Sequence, residues 1–121
     1  MIYKKFRLDY FDWDIHFLEV QSKEDLPEIK KIFKKLNISG KPIFKEVKKD
    51  YQGGGWHICD NLKGWSMIFI YRQVKKAKRF QDISHEKRHM EDNLLQWFNI
   101  KDSESSAMLS HNIAKLIYKL L

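Results

Sequence analysis

The chain has one cysteine, two prolines, five glycines and no long apolar run, and each scarcity excludes something. A lone Cys59 rules out an internal disulfide framework and fits a reducing compartment; it reads as a half-buried strand residue rather than a nucleophile. With so little Gly and Pro, the 43% hydrophobic and 32% charged content argues against disorder. No stretch approaches a membrane-spanning length, and Met1 to Arg7 lacks the apolar core of a signal peptide. The expectation is a cytoplasmic protein with no membrane partner. Its 121 residues suffice for one domain, 1–121, with a modest core.

What is present centres on Ser84-His85-Glu86-Lys87-Arg88-His89-Met90, an H-E-x-x-H inside a helical pattern. Residues i and i+4 stack one turn apart, so His85 and His89 point the same way and can share one ion. Glu86 lies about 100° round the helix, placed to take a proton from a water that the ion activates. The competing reading is a surface helix whose histidines simply face water, and the charged Lys87, Arg88 and Glu91 favour it.

A catalytic zinc needs a third protein ligand. Asp92, Asp102, Glu104 and His111 lie downstream. Asp92 shares the helix and reaches only with awkward geometry. Glu104 opens a final helical pattern after the break at Asn99 to Ser103, and a helix hairpin would bring its first turns back towards the histidines. Glu104 is therefore the expected third ligand. His111, two turns on, is placed either to hydrogen-bond an oxyanion or to sit at the helix surface.

Around this motif the chain alternates strand and helix signals. Ile2 to Leu8 and Ile15 to Val20 read as two strands about a turn at Asp9 to Asp14, with His16 structural. Ser22 caps a helix carrying Ile29, Ile32, Phe33 and Leu36, with a lysine-rich outer face, that backs the sheet. Ile43 to Val47 reads as a short strand, and Gly53-Gly54-Gly55 as a flexible break with no phosphate-loop signature. Trp56 to Cys59 and Trp65 to Tyr71 form a hairpin about Asp60 to Gly64. The motif helix runs from Phe80 to Phe98, and a last helix from Asp102 packs through Ala107, Met108, Leu109, Ile113, Ala114, Leu116 and Ile117. The fold class is α+β: a small mixed or antiparallel sheet, a backing helix, the H-E-x-x-H helix and a C-terminal glutamate-bearing helix. In zinc peptidases an edge strand beside the active-site helix holds the substrate extended, and Ser66 to Tyr71 is the expected docking strand unless it is internal.

This order of elements, with His85-Glu86-x-x-His89 followed by Asp102-x-Glu104-x-x-Ala107-x-Leu109, resembles the minigluzincins, small single-domain relatives of the gluzincin metallopeptidases. It also looks like short peptidase-like proteins encoded by phages and mobile elements. The resemblance covers residues 55 to 115 by motif order. It implies a zincin-like fold, zinc held by His85, His89 and Glu104, and Glu86 as general base in peptide hydrolysis.

Two other classes compete. The net charge of +7 and the run Arg72 to Arg79 suit a basic nucleic-acid-binding or regulatory protein of a mobile element, although solvated helix faces carry such charge too. A non-catalytic binding protein on a zincin-like fold is the other.

Overall fold

The computed structural model describes residues 1–120 as a four-stranded mixed sheet with helices on both faces. The elements are β1 (Ile2–Leu8), β2 (Trp13–Glu19), α1 (Leu26–Lys35), α2 (Lys41–Lys48), β3 (Gly55–Asp60), β4 (Trp65–Ile70), α3 (Lys76–Trp97) and α4 (Ser103–Tyr118). Strand order is β1-β2-β4-β3, with β2 and β4 parallel and the two outer pairs antiparallel. The parallel pair requires a long crossover, which α1 and α2 supply.

Alternation along the inner strands divides the core. Trp13, Ile15, Phe17, Ile68 and Ile70 face α3 and α4, whose Ile83, Met90, Leu94, Leu109 and Ile113 complete that layer. Leu18, Met67, Phe69 and Tyr71 face the other way onto Ile29 and Phe33 of α1 and Ile43 and Val47 of α2. Both inner strands are therefore covered on both sides. Trp13 turns its indole nitrogen to the Ser66 hydroxyl at 2.9 Å, so the buried polar pair is satisfied.

Ser22 caps a 3-10 turn ahead of α1, in reciprocal hydrogen bonding with Asp25. Asp102 caps α4, accepting from the Ser105 amide at 2.8 Å. The expected strand at Ile43 to Val47 is instead the helix α2. Pro42 sits in its first turn, where a missing N–H costs nothing, and Ile43 and Val47 share a buried face as i and i+4. Gly40, just before α2, lies against Phe33 and Phe44, whose rings a Cβ there would strike. The motif helix begins at Lys76, a turn earlier than its apolar pattern suggests.

Two further expectations fail. Cys59 is exposed on the edge strand rather than half-buried. Ala107 and Met108, both expected in the packing set of α4, are exposed instead. His16 is structural as expected: it is buried, and its Nδ1 meets the Tyr3 hydroxyl at 2.7 Å.

Candidate metal centre

Helix α3 lies along the edge strand β3 and is tied to it at both ends. Asp82 accepts a hydrogen bond from the Gly54 amide at 3.0 Å, and Asn93 and Asn61 exchange two amide hydrogen bonds at 2.8 and 3.1 Å. Between these ties an open cleft is lined by Gly55, Trp56 and His57 from the strand and by His85, Glu86 and His89 from the helix.

The histidines behave as their spacing requires. His85 Nε2 and His89 Nε2 are 3.1 Å apart, whereas two nitrogens each 2.0–2.1 Å from one tetrahedral ion would stand about 3.4 Å apart. Both rings are exposed to the cleft, and Glu86 beside them is buried. One ligand atom each from His85, Glu86 and His89 falls within 4.8 Å of the others. Burial pushes the Glu86 carboxyl above its ordinary range, while His85 and His89 pull it back. Two imidazole nitrogens beside a carboxylate are donors that zinc accepts, so His85, Glu86 and His89 could hold a metal ion.

The charges that seemed foreign to such a helix have local explanations. Lys87 and Glu91 pair at 2.5 Å, and the Ser110 hydroxyl of α4 donates to Glu91 at 3.2 Å. Both therefore belong to the α3–α4 junction. Arg88 faces solvent and pairs with Asp92 at 3.4 Å.

Glu104 is not brought to the histidines. Ser110 lies against Glu91, and Ala114, Ile117 and Tyr118 lie near Phe80, Ser84 and Lys87, so α4 runs antiparallel to α3. Glu104, six residues before Ser110, stands exposed about 9 Å further towards the Trp97 end. The hairpin forms as expected, but α4 packs on the side of α3 that carries Lys87 and Glu91, about 160° round the helix from His85 and His89. His111 is exposed on α4 and does not line the cleft.

The expected docking strand is internal. β4 is hydrogen-bonded to β2 on one side and to β3 on the other, so Ser66 to Ile70 has no free main-chain edge. The edge beside the histidines belongs to β3. Its inner wall also holds His57, which sequence reasoning passed over as one residue of a hairpin. The Trp56 indole is fixed by Glu46 of α2 and by the Tyr71 hydroxyl, each at 3.2 Å.

Among the described residues no helix is long and apolar enough to cross a membrane. Comparison of the chain with protein families, with curated proteins and with solved structures finds no match.

Proposed function

We propose that this chain is a zinc-dependent peptidase of zincin-like, minigluzincin-like design, with His85 and His89 holding the metal. The observation that carries the reading is the convergence of the two Nε2 atoms at 3.1 Å beside the buried Glu86 carboxylate, in a cleft bounded by a sheet edge. When bound, zinc would supply Lewis acidity, lowering the pKa of a water and polarising a carbonyl. Glu86 accepts the proton of the attacking water and delivers it to the departing amine. Its burial suits this role, since a carboxylate raised above its ordinary range is the stronger base. An extended peptide adds to the free edge of β3, where main-chain hydrogen bonds give affinity without demanding a sequence.

Glu86→Gln tests the assignment. It should keep zinc and lose hydrolysis by about 10²-fold or more. Unchanged turnover would remove Glu86 from the chemistry, and zinc binding without turnover in the wild type would leave a binding protein on the same scaffold.

A second reading rests on a different surface. Lys30, Lys31, Lys34, Lys35, Lys41, Lys45 and Lys48 are exposed on α1 and α2, and none of them forms an ion pair among the described residues. This face lies across the sheet from the histidines and suits the phosphate backbone of a nucleic acid. Affinity for duplex DNA that falls steeply with salt would support it; negligible binding at low salt would end it.

A further inference from the structure

His85 and His89 supply two of the three protein ligands that a catalytic zinc requires, and neither Glu104 nor His111 reaches the cleft. Were Glu86 itself the third, no base would remain to take the proton from water. We propose that His57 supplies the third ligand from the edge strand, completing a three-histidine centre with Glu86 left free as base. This rests on the zinc reading above and specifies its donor set.

Three observations point to His57. It lines the same cleft as the motif residues. Its Nε2 is the one buried side-chain nitrogen or oxygen without a hydrogen-bond partner among the described residues. An orphan of that kind is costly, and a missing ion is one of the recognised reasons for a native protein to keep it. The strand is also held in place at this level, since the Asp82–Gly54 and Asn93–Asn61 ties lie on either side of His57.

His57 stands outside the group that already converges within 4.8 Å, so ligation requires its ring to turn towards the ion. A ligand carried on β3 would also couple metal binding to the strand that the substrate joins. That arrangement differs from one in which the third ligand comes from the following helix.

The test compares zinc and cobalt(II) binding by the full chain in the wild type, His57→Ala, His57→Gln, His89→Ala and Glu104→Ala. Zinc affinity is read by competition with a chromophoric chelator, cobalt geometry by visible absorption, and folding by circular dichroism. Loss of an outer-shell partner costs about 10–100-fold in affinity, so both His57 variants should lose more than about 100-fold and change the cobalt spectrum. Glu104→Ala should match the wild type. Nitrogen NMR of the unmutated protein gives an independent reading, because zinc should shift the His57 Nε2 resonance together with those of His85 and His89. Wild-type affinity and an unchanged spectrum in the His57 variants, with binding lost in His89→Ala, would overturn the His57 assignment and leave the zinc reading standing. Absence of metal binding by the wild type would overturn both.

Discussion

Buried His16 and half-buried His57 give the protein a pH-dependent stability. The His57 pKa falls to about 4 through burial and the nearby His89, and His16 is shifted in the same direction by burial and Lys5. The unfolded chain takes up a proton on each ring as pH drops through about 6.5, whereas folded His57 resists until about 4. Stability from this source is full above the unfolded value and is lost as pH falls from about 6.5 to about 4. The loss at His57 is on the order of 2–3 kcal/mol. Urea midpoints at pH 7 and pH 4.5 in the presence of a chelator should show the drop, and His57→Gln should reduce it; His16 keeps part of the slope. Sequence reasoning found His85, Glu86 and His89 because a four-residue spacing on a helix fixes which side chains meet. It could not find His57, since what a strand residue faces depends on which helix later covers that face.

At the scale of elements, the sheet is joined to the motif helix by a charge pair. Glu19, at the end of β2, is 3% exposed and receives two hydrogen bonds from Arg79 in the first turn of α3, at 2.8 and 2.9 Å. Arg79 also donates to the Leu120 carbonyl at 3.2 Å, gathering the chain after α4 into the same knot. Removing the guanidinium would leave a buried carboxylate unpaired. Arg79→Ala should therefore destabilise by about 3 kcal/mol or more in urea unfolding, far beyond the effect at exposed Arg88. The residues 72–79 stood out in the sequence as a basic run, yet one of these charges is structural. The elements themselves were mostly legible: the paired N-terminal strands, the β3–β4 hairpin and both long helices follow from apolar period and caps. The segment 41–48 was not, because Ile43 and Val47 fit a period of two as well as one of four, and only the packing against Phe33 decides. Nor does periodicity say whether a strand is internal. Trp65 to Ile70 is buried on both faces, which marks a central strand, whereas no residue of β3 is fully buried.

For the whole molecule, the sheet order sets what the two faces can do. Placing β3 outermost brings a free main-chain edge beside the H-E-x-x-H helix, and placing α1 and α2 across the sheet puts their exposed lysines on the opposite side. Metal binding and nucleic-acid binding would therefore be separable by mutation. Replacing Lys31, Lys34 and Lys35 with glutamate should abolish any salt-sensitive DNA affinity while leaving zinc affinity unchanged. Which face of α3 the last helix covers was beyond reach from sequence, because α3 carries apolar residues on more than one side and only packing beside His85 and His89 would have brought Glu104 to them. The packing of Leu109 and Ile113 beside Met90 and Leu94 settles it otherwise. The most direct measurement is the metal content of the purified full chain after incubation with zinc and removal of the excess, set beside His85→Ala and His89→Ala. A three-ligand site gives about one zinc per chain in the wild type and none in either variant. No zinc in the wild type, or equal zinc in all three proteins, would contradict the account.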